Sequence, residues 1–133
     1  MSGAGEALQA AALARLATVP ALGRVYPGSP LQGATPYATV EAGAEADWSH
    51  KSGEGREVRL ALSLRDAGES PGRIRSLMAA AEAAIQTVAD VPGWQLVCLS
   101  YLRSRLVRGG TGREAAWTAL IEYRARLLAR PPG

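Results

Sequence analysis

The stretch PYATVEAGAEADWSHKSGEGREVRLALSLRD, Pro36 to Asp66, decides the fold. Its second half alternates. Val58, Leu60, Leu62 and Leu64 point one way, while Glu57, Arg59, Ser63 and Arg65 point the other. Only a period of two residues gathers those leucines on one face, so this is a half-buried strand and not a helix. The first half, Tyr37 to Ala46, reads as a partner strand. It is rich in small residues and carries Gly43, which suits an edge, a bulge or the close approach of another chain. Between them lies a polar loop, Trp48 to Gly55, holding the only His, the only Lys and one of the three Trp. A large aromatic in such a loop either folds back on its own sheet or meets a partner.

Working outward, residues 4–18 read as an Ala-rich helix with Leu8, Ala12, Leu16 and Val19 at helical spacing, ended by Pro20. Residues 20–36 carry four Pro and form an extended linker, with room for a short edge strand at Arg24 to Tyr26. After the hairpin, Ser70 and Pro71 suit a helix start. Ile74, Leu77, Met78, Ala81, Ile85 and Val88 then make one apolar stripe on a helix running to about Ala89. Residues 94–128 flank a glycine turn, Arg108 to Arg113. Pairing Arg108 with Arg113 places Leu96, Cys98, Leu102 and Leu106 on one face with Trp117, Ala119, Ile121, Tyr123 and Ala125. The reverse face collects Arg103, Arg105, Arg124, Arg126 and Glu122, together with Val97, Leu99, Tyr101 and Leu120. One face is almost wholly apolar and the other mixed, which favours a second hairpin over a C-terminal helix. The expected architecture is therefore α+β. A four-stranded antiparallel sheet carries two helices on one face, in the order helix-strand-strand-helix-strand-strand. The 133 residues make one domain (1–133), with the 20–36 linker inside it and a loose tail at 130–133.

Composition narrows the function. Apolar residues at 47% and charged residues at 20% fit a globular chain. No apolar run approaches the roughly 20 residues that span a bilayer, and no signal peptide is expected. The single Cys98 allows no internal disulfide. Net charge is +3, and all the basic residues but one are Arg. A charge this small does not by itself argue for nucleic-acid binding, and the Ala, Arg and Gly content follows the codon bias of a high-GC genome. Catalytic signals are thin. His50 has no Cys or His at ligand spacing, so no metal site is expected. Cys98 reads as a buried small hydrophobe. Gly109-Gly110-Thr111-Gly112 lacks the Lys-Ser/Thr ending of a phosphate loop. Asp47 and Glu54 read as solvated loop charges and not as an acid/base pair. The Arg cluster has three readings: a solvated face, a subunit interface, or a surface passed by DNA phosphates.

Val25-Tyr26, the Pro/Gly linker, Pro36-Tyr37, and then D-W-S-x-K-x-G-x-G-R-E over Asp47 to Glu57 resemble the tail-terminator (tail-completion) proteins of long-tailed bacteriophages and gene transfer agents. The resemblance spans nearly the whole chain, and the D-W-S-x-K-x-G block is its most specific part. The chain departs from the family's β-branched first strand at the Ala- and Gly-rich residues 42–46. The Ala/Arg-rich bias leans toward a gene transfer agent.

The resemblance implies a structural virion protein without catalytic activity or cofactor. It would form a homo-hexameric ring at the head-proximal end of the tail. There it would end tail-tube polymerisation, offer a docking surface to the head or its connector, and let DNA pass without sequence preference. Partners would be other copies of itself, the tail tube protein and the connector or adaptor proteins, with no membrane. On this reading Trp48, His50, Lys51, Glu54 and Arg56 are contact candidates, and Arg103, Arg105, Arg124 and Arg126 lie at a subunit boundary or the lumen. Alternatives are another head–tail joining component of the same particle, or a small dimeric ligand-binding or enzymatic domain.

Overall fold

The computed structural model describes residues 3–28, 34–110 and 115–131. The tip of the second glycine turn, part of the linker and the last two residues therefore lie outside the described residues. Elements run in the order α1 (Ala4–Leu16), β1 (Arg24–Tyr26), β2 (Tyr37–Asp47), β3 (Gly55–Ala67), α2 (Gly72–Ile85), β4 (Asp90–Val91), β5 (Trp94–Gly109) and β6 (Ala116–Ala129). A short 3-10 turn, Pro20–Leu22, follows α1.

The four-stranded antiparallel sheet expected from the sequence is corrected to six strands. They are ordered β1-β2-β3-β6-β5-β4 in a mixed sheet curled into a half-barrel. β1 runs parallel to β2, and β4 pairs antiparallel with the start of β5. Both added strands are edge pieces of three and two residues, too short to show alternation. The four long strands between them are antiparallel throughout.

Both helices pack on one face. Leu8, Ala12 and Leu16 of α1 and Ile74, Leu77, Ala81 and Ile85 of α2 bury against the β3 leucines. Ala38 and Val40 of β2, and Ala119, Ile121, Tyr123, Ala125 and Leu127 of β6, complete the core. Two side chains tie α1 to β2. Glu45 Oε1 accepts from the Gly5 N–H at 2.6 Å, and Gln9 Oε1 accepts from the Ala42 N–H at 2.8 Å. A carboxylate at a helix N-terminus satisfies an orphan donor and meets the positive end of the helix dipole. Ser70 Oγ accepts from the Gly72 N–H at 3.2 Å, where α2 begins. The helix itself stops at Ile85, and a turn carries Val88 back into the core.

The second hairpin keeps its predicted faces at its ends and loses them in the middle. Near the turn Leu106 opposes Ala119 and Arg103 opposes Glu122, an even displacement from the expected pairing that leaves every face unchanged. Two one-residue bulges, at Leu102 and Val97, then reset the register, because Tyr101 opposes Tyr123 and Cys98 opposes Arg126. The segment between them is inverted. Cys98, expected in the core, faces the Arg side and is only half-buried. Leu99 and Tyr101 turn to the helix side, and the exposed Val97 and Leu102 occupy the bulges.

Asp66, at the end of β3, is 2% exposed. Its carboxylate accepts from Arg73 Nε at 2.7 Å, from a second Arg73 nitrogen and from the Ala67 N–H at 2.9 Å. The Arg73 hydrogen bonds hold its pKa below the usual carboxylate range against the opposing effect of burial. A lowered folded-state pKa contributes stability above the unfolded value, and that stability is lost as pH falls through the folded value. Asp66→Asn is expected to cost about 1–3 kcal/mol at neutral pH. Thermal melts from pH 7 down to pH 3 should show the gap between the two proteins closing below about pH 4.

Candidate functional site

The face of the sheet opposite the helices is built by the alternation of β3 and β6. Every second residue of β3 that is not a core leucine emerges here, as do the polar positions of β6. The structure brings all four arginines predicted for this face together, Arg103 and Arg105 on β5 and Arg124 and Arg126 on β6. It adds Arg59, which pairs in register with Arg124, and Arg65, which pairs with Thr118. These two were visible in the β3 alternation. What joins them to the cluster is the pairing of β3 with β6, which the sequence pattern does not state. Across the four long strands, six arginines thus share the face with Glu41, Glu57 and Glu122.

The charges interlock. Arg103 pairs with Glu122. Glu57 lies 3.2 Å from Arg126 and 3.7 Å from Arg124. The Arg103 hydrogen bond holds Glu122 below the usual carboxylate range, with Arg59 and Arg105 adding attraction. A cavity of about 300 Å³ opens in the middle of the face, lined by Glu41, Arg59, Ala61, Leu102, Arg103 and Glu122. Three acids against six arginines leave the surface basic. At exposed positions such pairs add little stability, and their main effect is on what can approach.

The loop after β2 is shaped by its own backbone. Asp47 Oδ1 accepts from the Ser49 hydroxyl at 2.6 Å and from the Ser49 N–H at 3.2 Å, which lowers the Asp47 pKa. Ser49 Oγ accepts in turn from the Gly55 N–H at 3.0 Å, and His50 and Gly53 exchange backbone hydrogen bonds. Gly55 has no room for a side chain, since a Cβ there would lie 2.3 Å from the Trp48 carbonyl oxygen. The Glu54 carbonyl accepts from the Ala129 N–H at 2.8 Å, fastening the loop to the end of β6.

Trp48 answers the choice left open by the sequence, because it folds back on its own sheet. Its ring lies over the Arg126 guanidinium, 5.5 Å from centroid to Cζ, and meets His50 edge-on at 4.5 Å. His50, Lys51 and Glu54 are exposed, and Arg56 lies 3.7 Å from Glu54. The loop and the arginine face, two separate candidates in the sequence, therefore form one continuous surface joined by the Trp48–Arg126 stack. Among the described residues, no group of three or more His, Cys, Asp or Glu is placed to hold a metal. No described helix is long and apolar enough to cross a membrane.

On the opposite face, Tyr101 is 47% exposed and packs edge-on against Tyr123 at 6.0 Å, with its hydroxyl 2.8 Å from Ser104 Oγ. The Tyr123 hydroxyl is buried with no hydrogen-bond partner among the described residues. Burial first, then the charge of Glu82 and of Tyr101, pushes its pKa up.

With this geometry in view, the family can be stated. The model of tail completion protein gp17 matches residues 6–128, and the chain belongs to that family. A chain in the solved structure titled "Virion of native gene transfer agent (GTA) particle" is similar over 96% of this chain and 100% of its own length, at 26% identity and a TM-score of 0.67. No curated protein matches the sequence. The resemblance read from Val25-Tyr26 and the D-W-S-x-K-x-G block holds.

Tyr123→Phe removes an unpaired buried hydroxyl. It is expected to leave stability unchanged or raise it by about 1 kcal/mol, readable by urea denaturation. A loss of similar size would expose a partner for that hydroxyl.

Proposed function

We propose that this chain ends the tail of a phage-like particle. Copies would form a homo-hexameric ring on the last ring of the tail tube, stop further polymerisation and offer a surface to the head or its connector. DNA would pass through the ring. The observation that carries this reading is the continuous basic face joined to the D-W-S-x-K-x-G loop, on a chain of the tail completion family. A closed ring places one subunit surface toward the lumen, and six arginines balanced by three acids suit a wall that duplex DNA slides past without being held. On this reading the protein is a structural component at the head–tail junction and not an enzyme. The similar chain in a gene transfer agent virion supports the setting and favours such a particle.

Trp48 is occupied on its own sheet. It therefore positions the loop, and contact with a neighbour or the tube falls to His50, Lys51 and Glu54 with Arg56 at the rim. Trp48→Ala should release the loop from Arg126, so particles carrying it should show tails of irregular length by electron microscopy. Tails of normal length would remove the loop from the contact.

Particles assembled without the protein decide between the two structural readings. Overlong, headless tails are expected of a terminator. Normal tails beside unjoined heads would instead identify another joining component. Replacing Arg124 and Arg126 together by Glu should block DNA delivery while assembly continues if the face lines the lumen, and block assembly if it lies between subunits. Normal delivery by normal particles would exclude both places.

A further inference from the structure

The sheet has two long open edges of opposite charge. β4 covers only Trp94 and Gln95, so fourteen of the sixteen residues of β5 have no strand on their outer side among the described residues. β1 covers only Tyr37 to Thr39 of β2. Beyond it, Gln9 holds the Ala42 amide, a bulge follows between Ala42 and Glu45, and Gly43 to Asp47 are all exposed. The β5 edge carries Arg103, Arg105 and Arg108 and no acid. β2 carries Glu41, Glu45 and Asp47 and no base.

The edges also differ in bulk. Val97, Tyr101, Leu102 and Val107 of β5 are exposed large apolar side chains, whereas Gly43, Ala44 and Ala46 of β2 present almost none. An exposed apolar edge strand of this length is an invitation to pairing, and natural chains cover such edges or pair them. Between the Leu102 bulge and Gly109 the β5 ladder is regular, so its free backbone groups alternate as a partner strand requires.

Direction agrees as well. Three antiparallel steps separate β2 from β5 within one sheet, so the two strands run in opposite senses. A second copy placed beside the first in the same orientation brings its β2 antiparallel to this β5. The contact joins different patches on the two copies, the kind that repeats around a ring.

We propose that the Arg103–Gly109 edge of one copy pairs antiparallel with the Gly43–Asp47 edge of the next, so that the sheet continues from subunit to subunit. This rests on the ring reading above and specifies the contact that builds it. Pairing covers the open edges, sets Leu106 and Val107 of β5 beside the small residues of β2, and brings a basic edge alongside an acidic one. The choice of partner is a second copy because the complementary edge is on the same chain.

The test is a charge swap in the full-length protein. Arg105→Glu with Arg108→Glu reverses one edge, and Glu45→Arg with Asp47→Arg reverses the other. Self-association is read by sedimentation over a concentration series and by mass analysis of the copies in purified particles. Circular dichroism melts confirm that each variant folds. Each double variant should associate at least about tenfold more weakly than wild type. The fourfold variant carries opposite charges on both edges again and should recover most of the loss. Association untouched by either double variant, or no recovery in the fourfold variant, overturns the edge pairing while leaving the ring in place. A wild-type protein present singly both in solution and in particles overturns the ring and the pairing together.

Discussion

Everything in this molecule hangs on the ladder between β3 and β6. Thirteen residues of β3, Gly55 to Ala67, pair with β6 in unbroken register. Each strand comes from a different hairpin, and α2 lies between them in the chain. The ladder therefore closes the longest loop of any strand pairing in the sheet, and the entropy of that closure must be met by what the pairing buries. What it buries is the core. Four β3 side chains and five of β6 meet the two helices on one side of it. Because side chains alternate, the same ladder dictates the opposite face. Once the leucines are in, Arg59 and Arg124 must stand side by side, and Glu57 must stand beside Arg126.

That coupling explains how much of the structure could be read in the sequence. The β3 alternation, the α2 stripe and the inner face of β6 are repeated patterns with apolar payloads, and they stand where periodicity puts them. The arginine face followed from the same periodicity. β1 stands at Arg24 to Tyr26, where the linker left room for an edge strand, but three residues carry no period to place it in the sheet, and the two of β4 gave no signal at all. Their places depend on which edge the chain happens to pass. The bulges in β5 escaped for a different reason. Leu96 to Leu106 is apolar enough on both sides to allow either phase, so pattern alone cannot say where one residue is left over. Cys98, Leu99 and Tyr101 were assigned to the wrong sides for that reason alone.

The candidate surface shows a similar division. The loop motif marked Trp48 and its neighbours as one unit, but not that Trp48 stacks on Arg126, since no local rule connects positions so far apart. That contact makes one surface of two. It also fits the way the Asp47–Gly55 loop is built. Asp47 and Ser49 set the turn, Gly55 lets the Trp48 carbonyl approach, and the indole reaches the strand that carries the basic face. A motif that looks like a recognition sequence proves to be, in large part, a way of holding a loop against a sheet.

The two bulges carry a consequence for how the chain can change its length. Anywhere else in β5, removing one residue would turn every later side chain to the wrong face. At Leu102 or Val97 a deletion removes only the residue that has no opposite number, and the pairs on either side keep their partners. These two positions are where the longest strand can lose a residue without unmaking the core.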